Sequence, residues 1–411
     1  MPKKRAASAQ HAEPSVKLTT RGAARLQARH PWVYRSDIDA AGAANLLPGA
    51  VVRVLDPRGK FLGTALYSSS SQIAIRMISH GSVDDLPALV AERVRAAIAY
   101  RKDLVQNSDA YRIVFSEADF LPGLIVDRYN DILSLQILTQ AMDAAPVRQA
   151  IVETLKAELH PAAIAERVDP RIREIEQLPP LPSSLLYGDK TSTVINMNGN
   201  RNGDESSAIR FHYDAFEGQK TGAFLDQREN YAAAALYAHG EALDAFCYQG
   251  GFALHLAAKC PSVTGVDSSR PALEMAEKNA TLNSRELEWI EGNAFDLLRE
   301  YCAANRRYDT IVLDPPAFAK TKRDLDKALR GYKELNLRAM KMLHPGGILV
   351  TCSCSFHVSP QEFLKVLADA AQDAHKSLRV IESRGASKDH PILLNVPETS
   401  YLKCLILRVS D

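Results

Sequence analysis

A pair of thiols, an acid followed by two prolines, and a glycine-bearing loop carry most of the chemistry this chain can offer. Thr351-Cys352-Ser353-Cys354-Ser355 is delivered by the apolar run Gly346-Gly347-Ile348-Leu349-Val350. Upstream lie Leu313-Asp314-Pro315-Pro316 and the stretch Leu243-Asp244-Ala245-Phe246-Cys247-Tyr248-Gln249-Gly250-Gly251. A glycine turn between a strand and a helix lets backbone come close to a ligand, and the helix N-terminus offers it N–H groups. Together the three segments point to group transfer from a bound nucleotide-type cofactor onto a flat, planar substrate.

Each segment suits a distinct role. The strand after the glycine loop ends at Gly265-Val266-Asp267, where a carboxylate can accept hydrogen bonds from both hydroxyls of a ribose. Asn293-Ala294-Phe295-Asp296 follows the third strand, where an adenine edge would lie. Prolines 315 and 316 bar helix and ladder bonding, so the chain turns out into the cleft and Asp314 presents its carboxylate or its carbonyl to a base edge.

The thiols suit a pyrimidine. C5 of cytosine or uracil is too weak a nucleophile to take a methyl group directly, but a thiolate added to C6 pushes electron density onto C5. A free thiol has a pKa near ~8.5, so local charge or dipole must activate it. An acid bonded to N3 would stabilise the charge that builds there, and Asp314 is the natural candidate. Positions 352 and 354 face the same side of an extended chain, so spacing does not choose between them. Cys354 lies further beyond the strand end and is preferred. Cys247, Cys260, Cys302 and Cys404 read as packing residues.

These segments need a scaffold, and the chain supplies one. From about residue 206 strands alternate with helices, the sequence form of a doubly wound, Rossmann-like α/β domain. Buried strands are expected at 242–246, 262–266, 309–313, 346–352 and 402–409, with helices at 251–259, 270–283, 327–343 and 360–372. Residues 15–85 form a β-rich module, with strands at 51–55, 61–67 and 72–78. Residues 86–205 form a small α+β domain, with strands at 113–115, 124–129 and 132–138, and a helix over 147–159 behind Pro146. Residues 1–14 read as a solvated tail.

Composition excludes several classes. No run of about 18 apolar residues occurs, so no membrane-spanning helix is expected. Met1-Pro2-Lys3-Lys4-Arg5 has no apolar segment behind it and does not read as a secretory signal. Six scattered cysteines fit a reducing cytoplasm, and Cys352 with Cys354 lacks the second ligand pair of a structural zinc site. A dehydrogenase is disfavoured because the glycine loop does not read G-x-G-x-x-G. The net charge is only +1, yet residues 1–35 hold eight Lys or Arg against one acid, Glu13, a local patch able to meet phosphates.

The catalytic half resembles the class I S-adenosylmethionine methyltransferases, and within them the large-subunit ribosomal RNA cytosine-C5 methyltransferase family. The matching motifs are Gly218 to Asn230, which includes Gln219-Lys220-Thr221-Gly222, then Asp244 to Phe252, Asp314 to Phe318, and Thr351 to Ser355. Gly22 to Val33, ending His30-Pro31-Trp32-Val33, resembles the family's PUA-type RNA-binding module, and Asp119 to Tyr129 its central α+β domain. The resemblance implies S-adenosylmethionine as cofactor. Lys220, Phe224 and Asp226 would shape its pocket from outside the sheet. Asp244, Phe246, Tyr248 and Gly250 of the glycine loop, with Asp267, Asn293 and Ala294, would hold its methionine, ribose and adenine parts. Cys354 would be the nucleophile and Asp314 its partner. The implied substrate is a cytosine of 23S rRNA, naked or in a large-subunit assembly particle, with a homodimer allowed and no membrane partner. Two rival readings are an amino-group methyltransferase, which needs no thiol, and a catalytically inert RNA-binding assembly factor.

Overall fold

The computed structural model describes residues 14–39, 45–198, 208–218, 221–319 and 321–410. Its first unit comprises β1 (Ser15–Lys17), α1 (Thr20–Gln27), β2 (Trp32–Tyr34), β3 (Val51–Leu55), β4 (Phe61–Tyr67) and β5 (Ile73–Ser79). They form one sheet in the order β1-β3-β4-β5-β2. The β3–β4 turn is set by Asp56, whose carboxylate accepts the N–H groups of Arg58 and Lys60, both at 2.8 Å. The 1–14 tail, apart from Pro14, lies outside the described residues.

The second unit comprises α2 (Leu86–Leu104), β6 (Ala110–Phe115), β7 (Leu124–Tyr129), β8 (Ile132–Ile137), α3 (Ala145–Leu159), β9 (Ala163–Glu166), α4 (Pro170–Ile175) and β10 (Ser184–Gly188). Its sheet runs β10-β9-β8-β7-β6. Asp85 caps α2 by accepting the Ala88 N–H, and Val90, Val94 and Ala97 lie at helical spacing on one face. That face packs on Ile113, Val126 and Leu133 of the sheet, and Leu66 and Ile78 of the first unit enter the same cluster. The two units therefore share a core.

The third unit opens with a hairpin of β11 (Ser192–Asn198) and β12 (Ile209–Asp214), so the expected division at 205/206 falls inside a pair of hydrogen-bonded strands. There follow α5 (Arg228–Tyr237), β13 (Glu241–Ala245), α6 (Gly251–Leu256), β14 (Ser262–Asp267), α7 (Arg270–Leu282), β15 (Glu288–Glu291), α8 (Ala294–Ala303) and β16 (Tyr308–Leu313). The chain ends through α9 (Leu325–Met342), β17 (Leu343–Ser353), α10 (Pro360–Ala374), β18 (Ser377–Arg384) and β19 (Lys403–Ser410). The seven-stranded sheet has the order β15-β14-β13-β16-β17-β19-β18. Its first five strands are parallel, and β19 lies antiparallel to both β17 and β18.

Both faces of this sheet are covered, which is why its central strands are rich in apolar residues and do not alternate. Ile348, Val350, Cys352, Cys404 and Ile406 belong to one layer with Tyr231 and Phe252, while Leu349, Leu405 and Leu407 belong to the other with Tyr332 and Phe363. Strand order reverses between β13 and β16, and ligands of such sheets bind in the crevice beyond the carboxyl ends at that reversal.

Candidate active site

A cavity of about 670 Å³ opens at this reversal point. Phe224, Asp226, Phe246, Tyr248, Asp267, Asn293, Ala294, Asp314 and Cys354 line it, so nine of the residues singled out in the sequence converge on one space. Lys220 lies outside the described residues. Asp244 and Gly250 stand behind the wall instead of in it.

The glycine loop is held in an unusual shape. Phe246 has φ +105°, Tyr248 +48° and Gly250 +88°. A side chain is strained at such angles, and the surroundings must hold it there. Val266 O accepts the N–H groups of both Phe246 and Cys247 at 2.9 Å. The Asp267 carboxylate accepts the Tyr248 N–H at 2.9 Å and the Ser269 N–H at 2.8 Å. Gly251 has no room for a Cβ, which would sit 2.5 Å from the Tyr231 ring. Gly292, by contrast, would carry a Cβ into empty space on the cavity wall.

Asp244 is fully buried, with its Oδ2 accepting the Ala253 N–H at 2.9 Å. Its Oδ1 has no hydrogen-bond partner among the described residues. Burial pushes its pKa up to about 8, and the nearby Asp314 and Asp267 charges add to the rise. Its structural part is to fix the first turn of α6 through that N–H.

The far wall is built by the thiol segment. β17 stops at Ser353, so Cys352 keeps its place within the sheet and Cys354 leaves it. Cys352 is fully buried opposite Cys404 in the β17–β19 register. Burial, then Cys404, raises its pKa far above the ordinary thiol value. Cys354 is half-buried, faces the cavity, and has its Sγ 3.9 Å from Pro315 O.

Ser355 ties the thiol segment to the proline loop. Its hydroxyl oxygen accepts the Phe318 N–H at 3.0 Å and the Ala319 N–H at 3.2 Å, and lies 3.0 Å from the Tyr332 hydroxyl. The proline loop after Asp314 is thus pinned to the residue after Cys354. Tyr401 donates to Asp226 at 2.6 Å, and the Lys403 ammonium donates to Ser355 O at 2.7 Å and Tyr401 O at 2.9 Å. Sequence reasoning missed Tyr332, Tyr401 and Lys403. Tyr401-Leu402-Lys403 ahead of a buried strand was the one local signal for two of them.

Behind the Phe224–Asp226 wall, a buried ionic junction joins the second and third units. Asp127 accepts Arg112 Nε and Nη2, each at 2.8 Å, and Thr221 Oγ1 at 2.5 Å. Asp389 accepts the Arg112 N–H at 2.8 Å and Arg228 Nη2 at 3.3 Å. A buried carboxylate needs such partners: Asp127 ties Thr221 to β7, and Asp389 ties Arg112 of β6 to Arg228 of α5.

The cavity suits S-adenosylmethionine. Its volume lies in the ~300–1,000 Å³ range of small-molecule sites. Phe224, Phe246, Tyr248 and Phe295 give it aromatic walls for a flat base. Asp226, Asp267 and Asp314 offer carboxylates to a ribose and to a cationic sulfonium or amine. Strand order and cavity together define a class I S-adenosylmethionine-dependent methyltransferase.

Comparison with known proteins narrows the class. Residues 202–408 match the S-adenosylmethionine-dependent methyltransferase family and residues 16–80 a PUA-like domain. The chain is 38% identical over 392 residues to the ribosomal RNA large subunit methyltransferase I of Shewanella denitrificans, covering 93% of this chain and 96% of that one. It is 37% identical over 388 residues to the protein of that name from Tolumonas auensis, covering 92% and 95%. In fold it is similar to SMU.776, described as a methyltransferase and solved with SAH, at a TM-score of 0.79 and 18% identity over 96% of this chain and 99% of that one. A methyltransferase structure from Streptococcus mutans gives a TM-score of 0.78 at 18% identity, covering 96% and 100%. The chain belongs to the ribosomal RNA large subunit methyltransferase I family.

Proposed function

We propose that this protein methylates C5 of a cytosine in 23S ribosomal RNA, with Cys354 forming a transient bond to C6. The observation that carries this reading is the placement of the thiols. Cys354 and Asp314 line one cavity with the cofactor-facing residues, while Cys352 is sealed in the sheet. The names of the relatives support ribosomal RNA of the large subunit as the substrate class.

Bound S-adenosylmethionine supplies an electrophilic methyl group that C5 takes up, leaving S-adenosylhomocysteine. Asp226, Asp267 and the Phe246–Tyr248 loop hold the cofactor on one side of the cavity, and Lys220 is proposed to join them. Asn293 and Ala294 bound the adenine end. The target base leaves its stack and enters between the cofactor and Cys354. The Cys354 thiolate adds to C6, and the negative charge that the pyrimidine ring carries to N3 is met by a proton held between N3 and the Asp314 carboxyl. After transfer water takes the C5 proton, the C5–H electron pair re-forms the C5–C6 double bond, the Sγ–C6 bond breaks, and its electron pair returns to sulfur. The PUA-like unit and its basic N-terminal approach grip the RNA through phosphates and unpaired loops.

The test uses purified protein, labelled S-adenosylmethionine and rRNA from cells lacking this gene, followed by nucleoside mass spectrometry. Labelled 5-methylcytidine is the expected product. A methyl on a base amino group would replace this reading with direct amino transfer. Absence of label from rRNA and from large-subunit particles alike would favour an RNA-binding assembly factor.

A further inference from the structure

A thiolate at position 354 faces an electrostatic difficulty that the catalytic residues do not solve. Three carboxylates, Asp226, Asp267 and Asp314, line the same cavity, and negative charge nearby disfavours a thiolate. Tyr332 on α9 and Tyr401 ahead of β19 also stand near Cys354. Burial holds both phenols neutral by raising their pKa values, so they add no negative charge, and a phenol supplies no positive one. A cation is needed, and the fold places one.

Lys403 opens β19 directly opposite Ser353, the last residue of β17. This register sets its backbone beside the point where Cys354 leaves the sheet. The residue is 8% exposed, unusual for a lysine. Its ammonium donates to Ser355 O, the carbonyl just after Cys354, and to Tyr401 O, whose residue lines the cavity. A buried lysine ordinarily pairs with a carboxylate, but among the described residues none lies within 4.0 Å of this one. Glu362 on α10 acts on it only at a distance, and its own Oε2 accepts the Ser359 N–H at 2.7 Å.

We propose that the Lys403 ammonium, pinned by the carbonyl oxygens of Ser355 and Tyr401, is the positive charge that holds Cys354 as a thiolate ready for attack. Lys403 is on this account a positioning residue that acts through Cys354, and the role rests on the nucleophile assignment above. Burial lowers its pKa to about 8, and the charge on Cys354 is the first influence opposing that fall. The interaction is mutual: what a thiolate does for the ammonium, the ammonium does for the thiolate. The thiol proton leaves to solvent, the sulfur lone pair forms the bond to C6, and on elimination that pair returns to sulfur beside the same cation. Lys403 keeps its three protons throughout, so its charge is available below about pH 8 and fades above it.

The test is the pH dependence of iodoacetamide alkylation of Cys354 in the full chain, resolved by peptide mass spectrometry, without RNA or cofactor. The wild-type midpoint is expected below the ~8.5 of a free thiol. Lys403→Met should raise it by about one unit or more and slow alkylation about tenfold at pH 7, while Lys403→Arg, which keeps the charge, should restore it. An unchanged midpoint in a folded Lys403→Met protein overturns the proposal and leaves Lys403 as a pin for the turn. If that variant does not fold, the wild-type midpoint decides, since a value at or above the free-thiol range refutes a thiolate-stabilising cation. Alkylation involves no methyl transfer, so a failure of the C5 reading would show in the nucleoside product and not in this midpoint.

Discussion

Tyr401 donates its phenolic hydrogen to Asp226 at 2.6 Å, joining the approach to β19 to the turn that carries Phe224 into the cavity lining. Burial and the Asp226 charge both raise the Tyr401 pKa well above its ordinary value, so the phenol stays a donor at neutral and mildly alkaline pH. Tyr401→Phe removes this donor from a carboxylate that is itself 4% exposed. Losing a hydrogen bond to a buried charge costs about 1.5–3 kcal/mol, and if this wall holds the cofactor, affinity falls by roughly tenfold to a hundredfold. Isothermal titration with S-adenosylmethionine reads this directly. Unchanged affinity would show that Asp226 faces the cofactor without help from Tyr401.

The two thiols should separate sharply. Cys354→Ala is expected to abolish 5-methylcytidine formation, by on the order of a thousandfold or more, while leaving cofactor affinity within about twofold. Cys352→Ala removes one buried atom beside Cys404 and should cost about 1 kcal/mol of stability with activity retained. Paired assays of turnover and thermal midpoint decide the matter. The reverse pattern, activity lost at 352 and kept at 354, would move the nucleophile into the sheet.

Ser355 should matter to the proline loop as much as to the thiol segment. Its hydroxyl oxygen serves the N–H groups of Phe318 and Ala319. Ser355→Ala leaves these donors without that acceptor, at a cost of about 1–3 kcal/mol each where they stay dry. Because the loop positions Asp314, the expected signature is a fall in kcat larger than the change in cofactor Kd. Single-turnover rates at saturating cofactor would show it, and a loss confined to cofactor affinity would contradict it.

The strands that position the site were readable because they are covered on both faces. β13, β14, β16 and β17 are each largely buried and rich in apolar residues, and each ends at a residue of the cavity rim or next to one. β18 was not readable: it is an exposed edge strand, and Ser377–Arg384 mixes charges with apolar residues. Nor was α5, whose Arg228 and Asn230 are buried by partners 155 or more residues away, Gly385 and Asp389. Asp244 illustrates a different limit. The resemblance implied a cofactor contact for it, and in the fold it lies fully buried one residue before the end of β13, accepting the Ala253 N–H, a placement no spacing announces. Spacing made Cys352 and Cys354 equivalent, and only the end of β17 at Ser353 separates them. Lys403 lies in a strand that the sequence did announce, but its place beside Cys354 depends on the antiparallel pairing of β19 with β17, which no local pattern gives.

Asp244 also makes stability depend on pH in an unusual direction. Its folded pKa of about 8 lies above the 3.8 of an ordinary aspartate. Between these values the folded protein holds a proton that the unfolded chain has lost. The contribution to stability is therefore full below about pH 4, declines as pH rises toward about 8, and is flat beyond. Asp244→Asn removes the titration while keeping a carbonyl oxygen for the Ala253 N–H. The variant should match or exceed the wild type in apparent melting temperature at pH 8–9, and its advantage should shrink toward pH 5. Thermal scans of cofactor-free protein at one scan rate across that range would test this. A wild-type advantage that grows with pH would mean that Asp244 is ionised in the fold and that its charge is met by a group acting on the cavity.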